Sequence, residues 1–167
     1  MSEISELLER FRRGPEVLAV VLTGVYGEEI DWTPEAGKWS IRTIAAHLAD
    51  SEVVGAYRFR VVIAEDNPVL QAYDEKAWSE RLDYARRKPS ASLDTFRRAR
   101  QENYELLKEL PESAFERQGT HTERGPITLA GILTIYADHA ESHARQIQGV
   151  RDAYKQHKAA ATARSYS

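Results

Sequence analysis

The 167-residue sequence contains no cysteine. This absence excludes disulfide bonds, a catalytic thiol supplied by the protein, and every metal site that uses thiolate ligands. A metal ion held by this chain must therefore rely on histidine, aspartate or glutamate side chains.

The chain also lacks long apolar segments and long basic runs. No apolar run approaches the roughly 20 residues that a membrane-spanning helix requires. The start of the chain is polar and acidic and shows no secretory signal, so we expect a cytoplasmic protein. The formal net charge of −3 gives no reason to expect a nucleic acid or an anionic membrane surface as a partner.

What the chain does contain is typical of one globular domain, with 42% hydrophobic and 29% charged residues. Apolar residues recur every three or four positions over most of the sequence, which is the period of an amphipathic helix. The first predicted helix lies at 4–11 and is renewed at 15–25, where Pro15 is its first residue. The second lies at 40–66, with Ser40 as N-cap, and a short helical turn follows at 74–78. The third lies at 92–110, and the fourth begins at Thr128 as N-cap and extends beyond 150.

No segment shows the alternation of a convincing strand, and residues 111–127 are predicted to form a long loop. From residue 152 the chain is poor in apolar side chains, which predicts a fraying helix end followed by a disordered tail. The sequence therefore predicts an all-α, four-helix bundle with long inter-helix loops, as one domain at 1–151 with a fraying C-terminal tail at 152–167.

The last predicted helix carries two histidines, His139 and His143, on its apolar seam. Their spacing of four residues places both imidazoles on one helix face, one turn apart, which is the geometry that a metal ion needs from a single helix. The spacing alone is weak evidence, but burying two polar rings is costly unless they are hydrogen-bonded or bound to something. Metal binding and a pair of satisfied core histidines both remain open at this point.

The second predicted helix offers a third ligand, His47, beside its apolar stripe. A lone histidine at such a position is more often a hydrogen-bonded core residue, but together with the helical pair it completes a set of three imidazoles. Three neutral histidines leave coordination positions open for water or substrate, as catalytic metal sites do. Imidazole ligands suit zinc, nickel, copper or iron, so the ligand type does not select the metal.

Three further residues are candidates for supporting roles. Asp50, one turn after His47, could orient a ligand histidine or could be a solvated surface charge. Arg58, eleven residues after His47 and about 16 Å further along the helix, could hold an anionic group of a substrate or could form an ordinary salt bridge. His121, in the predicted loop before the last helix, could overhang the site or could be exposed.

Several of these segments resemble the DinB/YfiT-like superfamily. The residues that carry the resemblance are Trp39-Ser40-Ile41-Arg42, His47-Leu48-Ala49-Asp50-Ser51, Thr128-Leu129 and the pair His139 and His143. The middle of the chain is similar to the YfiT-like branch, named for metal-dependent hydrolases and including bacillithiol S-transferases, at Tyr57-Arg58-Phe59, Asn67-Pro68 and Tyr73-Asp74-Glu75-Lys76-Ala77-Trp78. The similarity extends from about Trp32 to Val150.

The resemblance implies a four-helix bundle, often dimeric, with one nickel or zinc ion per chain on His47, His139 and His143. The family includes thiol transferases as well as many members with no assigned reaction, and the preferred hypothesis is a metal-dependent thiol S-transferase that joins a low-molecular-weight thiol to an electrophile. The same open site could activate water and make the protein a hydrolase. The third alternative is a non-catalytic bundle that binds a small ligand or uses the metal for stability, with a closed coordination sphere in which Asp50 or His121 would supply a fourth ligand.

Overall fold

The computed structural model describes residues 2–165 and is predominantly helical. Six α-helices form within that range, in chain order: α1 Glu3–Arg12, α2 Gly14–Leu22, α3 Ile41–Ala64, α4 Glu75–Arg81, α5 Pro89–Lys108 and α6 Leu129–Ser165. Short 3₁₀ helices lie at Gly27–Ile30, Tyr84–Arg86 and Glu112–Glu116. Only Arg13 separates α1 from α2, and both helices pack on α5 and α6. The bundle therefore has four members: α1 with α2, α3, α5 and α6.

The two helices that carry the candidate ligands begin at the predicted caps. The Ser40 hydroxyl accepts a hydrogen bond from the Thr43 backbone N–H at 3.3 Å, and the Thr128 hydroxyl accepts one from Gly131 N–H at 3.0 Å. Each cap satisfies a backbone donor that has no partner within the helix. The caps thereby mark where α3 and α6 begin.

The prediction that no strands form is wrong. A three-stranded sheet has the order β1 (Val69–Leu70), β2 (Gln118–His121) and β3 (Gly125–Thr128), with β1 parallel to β2 and β2 antiparallel to β3. Much of the predicted loop at 111–127 is thus a β-hairpin, whose turn ends at Gly125 with a φ of +76°. The sheet joins the segment after α3 to the segment before α6.

The end of α6 also differs from the prediction of fraying from residue 152. The helix continues to Ser165, and the rings of Tyr154 and His157 each lie 5.6 Å from the Trp32 ring, centroid to centroid. Lys158 forms a further ion pair with Glu28 at 3.2 Å. Contacts with the loop before α3 therefore stabilise the helix beyond residue 152, and residues 166 and 167 of the predicted tail lie outside the described range.

The core consists of two apolar clusters that meet on α6. One includes Phe11, Phe59 and Ala137, and the other includes Leu48 and Ala140. On α6 the first cluster ends at Ala137 and the second begins at Ala140, so His139 lies between them. The packing of the bundle therefore positions this half-buried histidine at the junction of the two clusters.

Candidate metal centre

Three histidines from two facing helices converge on one point. The Nε2 atom of His139 on α6 lies 2.9 Å from Nε2 of His47 on α3 and 3.1 Å from Nε2 of His143, one turn further along α6. One ring nitrogen from each of the three lies within 4.8 Å of the others. Since metal–imidazole bonds are about 2.0–2.1 Å long, these nitrogens lie within reach of a single ion.

Burial keeps the three imidazoles neutral. Desolvation, followed by the neighbouring His143, lowers the pKa of His47 to about 4, although Asp50 partly opposes this shift. Desolvation and the two other rings lower the pKa of His139 to about 2, and desolvation also lowers the pKa of His143. Neutral imidazoles present lone pairs, which is the form that binds a metal.

The contacts around the rings fit a metal ion. The Gln146 Oε1 atom lies 2.7 Å from Nδ1 of His143, so Nδ1 of His143 donates the hydrogen bond and its Nε2 carries the lone pair. The Nδ1 atoms of His47 and His139 are buried without a hydrogen-bond partner. Nε2 of His139 lies 2.9 and 3.1 Å from the two other Nε2 atoms, and one cation among the three nitrogens can satisfy them together.

No aspartate or glutamate within residues 2–165 joins the three histidines as a fourth ligand. Trp39 packs against His47 with 4.9 Å between ring centroids and contributes no coordinating atom. The protein therefore supplies three nitrogen ligands and leaves at least one coordination position free, which is the pattern of catalytic rather than structural zinc sites.

A cavity of about 140 Å³ adjoins the centre at His139. Its walls come from α3, α6, the segment from β1 to the start of α4, and the β2–β3 hairpin. The side chains that line it include Ser51, Arg58, Tyr73, Glu75, His121, Glu123, Arg124, Ile132, Tyr136 and His139. A small molecule in this cavity would reach the histidine centre from the His139 side.

Two of the supporting candidates line this cavity, and one does not. The Arg58 guanidinium donates to the Gln71 backbone carbonyl at 2.8 Å, and within residues 2–165 it forms no salt bridge. His121 is buried rather than exposed, and its Nδ1 accepts hydrogen bonds from the Glu123 and Arg124 backbone N–H groups of the hairpin turn. Both residues therefore face the space beside the centre.

Asp50, for which the sequence left open a role in orienting a ligand histidine or a place on the surface, forms its hydrogen bonds away from the three histidines. Its carboxylate accepts hydrogen bonds from the Tyr84 hydroxyl at 2.9 Å and from Arg87. At three residues from His47 on α3, Asp50 is directed towards the Tyr84–Arg86 turn, and the Nδ1 atom of His47 stays unpaired. Asp50 affects His47 only electrostatically, by opposing the fall in its pKa.

Two residues beside the centre had no predicted role. Gln146 and Tyr136 both lie on the apolar seam of α6, three residues after His143 and three residues before His139 respectively. That spacing is the available signal, because residues three apart share a helix face. The fold and this geometry define a helical bundle with a three-histidine candidate metal centre beside a small-molecule cavity.

Comparison with known proteins shows the family to which this chain belongs. The chain matches the family model of the DinB superfamily over residues 10–147 and belongs to that family. A "Putative metal-dependent hydrolase" of Oceanobacillus iheyensis is 31% identical over 144 residues, which cover 86% of this chain and 83% of that protein. "Putative metal-dependent hydrolase YfiT" of Bacillus subtilis is 33% identical over 120 residues, covering 71% of this chain and 67% of YfiT.

A solved structure of Bacillus subtilis YfiT, described as "a probable metal-dependent hydrolase with an unusual four-helix bundle topology", has the same fold. It superposes with a TM-score of 0.83 at 28% identity and covers 90% of this chain and 87% of that one. The predicted resemblance and the four-helix bundle are thereby confirmed. None of the helices in residues 2–165 has the length and apolar character needed to cross a membrane.

Proposed function

We propose that this protein is a metal-dependent enzyme that binds one divalent ion, nickel or zinc, and joins a small thiol to an electrophilic substrate. The observation that carries the proposal is the convergence of three neutral histidines, the buried His47 and the half-buried His139 and His143, beside a cavity that His139 lines. The names of the relatives support the metal dependence.

A divalent ion at this centre would supply Lewis-acid chemistry, favouring the deprotonated form of a bound thiol or water. The chain supplies the rest. It contains no cysteine, so the sulfur nucleophile would come from a cosubstrate. Arg58 lines the cavity with a permanent positive charge and would hold an anionic group of that thiol. Ile132 and Tyr136 form part of the wall that shields the reacting atoms from water.

Hydrolysis is the second candidate, and one observation beyond the relatives' names favours it. Glu75 lines the same cavity, and burial raises the pKa of its carboxyl, although Arg124 partly offsets the shift. A carboxylate with a raised pKa is a better proton acceptor, which a hydrolase needs when water is the nucleophile. In the transferase a thiol loses its proton more readily, so this carboxylate would be dispensable.

The test begins with the metal content of the untagged protein after incubation with nickel and with zinc. We expect about one equivalent in the wild type and in a His157→Ala control, whose ring lies against Trp32 at the end of α6. The His139→Ala/His143→Ala double variant should retain none. No metal in the wild type, or equal metal in the double variant, would rule out the proposed centre.

The reaction is then assigned with the metal-loaded protein, a panel of small thiols, an aryl halide as electrophile and an aryl ester as hydrolysis substrate. Thioether formation that needs both the metal and the thiol would support the transferase. Ester cleavage that is independent of thiol and falls in Glu75→Gln would support the hydrolase instead.

The assembly is proposed to be a homodimer, on the basis of the family resemblance. Light scattering of the purified protein tests this directly, because a dimer has twice the 19.0 kDa mass of one chain. A mass of one chain across the concentrations tested would contradict it.

A further inference from the structure

The inner wall of the cavity holds a hydrogen-bonding pair beside the histidine centre. The Nη1 atom of Arg58 on α3 donates to the hydroxyl oxygen of Tyr136 on α6 at 3.4 Å. Tyr136 precedes His139 by three residues, so the phenol ring lies one helical turn from a candidate ligand, with 6.4 Å between the ring centroids. Both side chains line the same cavity as His139.

The phenol ring of Tyr136 packs closely against the α3 backbone at Gly55. A Cβ atom at Gly55 of α3 would lie 2.6 Å from Cε1 and 2.7 Å from Cζ of Tyr136, so only glycine leaves room for this ring against the α3 backbone. The Phe59 ring packs beside it, with 5.5 Å between centroids. Glycine within a helix costs about 1 kcal/mol relative to alanine. The close approach of the Tyr136 ring accounts for glycine at this position.

The pair has unused donors that face the cavity. Because the Tyr136 oxygen accepts from Arg58, its own O–H proton is free to donate to another group. Desolvation raises the pKa of Tyr136 to about 12, so the hydroxyl keeps that proton at neutral pH. Arg58 uses donors for Gln71 and Tyr136, and further N–H groups of its guanidinium remain.

The acidic groups of the cavity lie on the other elements around it. Glu75 begins α4 and Glu123 lies in the hairpin turn, next to Arg124, which interacts electrostatically with Glu75. No carboxylate in the described part of the chain lies within 4.0 Å of the Arg58 guanidinium. Arg58 is therefore a half-buried cation without an acidic partner, beside a buried hydroxyl donor.

We propose that Arg58 and Tyr136 form a carboxylate subsite, and that the thiol substrate is a small mercaptocarboxylate. One carboxylate oxygen accepts from Arg58 and the other from the Tyr136 hydroxyl, while the thiol end reaches the histidine centre. Tyr136 is thus a specificity-determining residue, because it distinguishes a carboxylate from a neutral group of the same size. This inference rests on the proposed function, because it requires a thiol to bind at the histidine centre.

The experiment uses the full chain loaded with cobalt(II), whose sulfur-to-cobalt charge-transfer band reports thiolate binding. The probes are 3-mercaptopropionate and its methyl ester, titrated at constant pH. We expect the wild type to bind the acid about tenfold or more tightly than the ester, because hydrogen bonds to a charged group are strong. In Tyr136→Phe the preference should fall to about threefold or less.

Tyr57→Phe is the matched control, because Tyr57 lies on α3 but is 61% exposed and does not line the cavity. It should keep the wild-type preference. If Tyr136→Phe loses its helical circular dichroism signal, Arg58→Met is used instead to measure the preference for the acid over the ester. An unchanged preference in a folded Tyr136→Phe, or no preference in the wild type, would overturn the subsite and leave the thiol site standing. Cobalt binding without a charge-transfer band for either thiol would overturn both proposals.

Discussion

His143 is the candidate ligand that the surrounding protein holds most directly. Its Nδ1–H donates to Gln146 Oε1 at 2.7 Å, which fixes the tautomer and presents Nε2 to the centre. His47 and His139 have no such partner at Nδ1, and packing alone orients their rings, with Trp39 against His47. A hydrogen bond therefore orients His143, whereas packing orients His47 and His139.

Removal of the Gln146 amide should weaken metal binding without removing a ligand. In Gln146→Leu the His143 ring loses the acceptor that sets its tautomer, and we expect the metal dissociation constant to rise about tenfold or more. Competition with a chromogenic chelator measures this constant. Gln148→Leu is the control on the same helix, because Gln148 bonds to Asp152 outside the centre. Equal metal affinities for both variants would show that Gln146 does not support the ligand.

At the scale of single elements, the ligand-bearing helices could be predicted from the sequence, since their signals are local. Ser40 and Thr128 cap α3 and α6 as predicted, and the seam of α6 correctly indicated that His139 and His143 share a face. The convergence of His47 with that pair was a hypothesis from two separate patterns, and the fold brings the three together.

Other features depend on contacts between segments that are distant in sequence, and these could not be predicted. The strands β1 to β3 have two to four residues each, too few for an alternating pattern to be visible. The last turns of α6 contact Trp32, more than 100 residues earlier in the chain. The cavity itself is closed by the hairpin and α4, so its lining residues gave no shared sequence signal.

The contact between α3 and α6 at Gly55 leads to an element-scale prediction. Gly55→Ala gains about 1 kcal/mol of helix propensity, but its Cβ would lie 2.6 Å from the Tyr136 ring. Because displacing a buried aromatic ring costs about 1–3 kcal/mol, we expect a net loss in the free energy of unfolding. Urea denaturation measures it.

Gly149→Ala on α6 is the matched control for that substitution. No atom lies within 4 Å of a Cβ placed at Gly149, so we expect a gain of about 0.5–1 kcal/mol. If Gly55→Ala were stabilising to the same extent, the close packing of Tyr136 on α3 would be contradicted.

At the scale of the whole molecule, one buried cation joins all members of the bundle. Arg100 on α5 forms a double hydrogen bond with Glu52 on α3, at 2.8 Å for each contact, and also donates to the carbonyls of Phe11 on α1 and Tyr136 on α6. Both charged side chains are 1% exposed. Since a buried ion pair is costly to break by removing one partner, this network makes the bundle sensitive to a single substitution.

Arg100→Met should lower the free energy of unfolding by about 3–5 kcal/mol, because it leaves the Glu52 carboxylate buried without its cation. Arg97→Met on the same helix is the control, with a change within about 0.5 kcal/mol, since Arg97 is 65% exposed and its ion pair with Asp94 lies at the surface. Chemical denaturation compares the two. A loss below about 1 kcal/mol in Arg100→Met would show that the network does not stabilise the bundle.

The metal centre should couple the two halves of the core, because its ligands come from α3 and α6 at the junction of the apolar clusters. An ion that binds only the folded chain stabilises it by mass action, by about 2.7 kcal/mol at a free concentration of one hundred times the dissociation constant. For a domain of this size that corresponds to a rise of about 5–10 °C in Tm. Thermal unfolding with zinc or nickel, and then with excess chelator, should show this rise and its reversal in the wild type. It should be absent in His139→Ala/His143→Ala, and an equal rise in that variant would mean that the stabilising ion binds elsewhere.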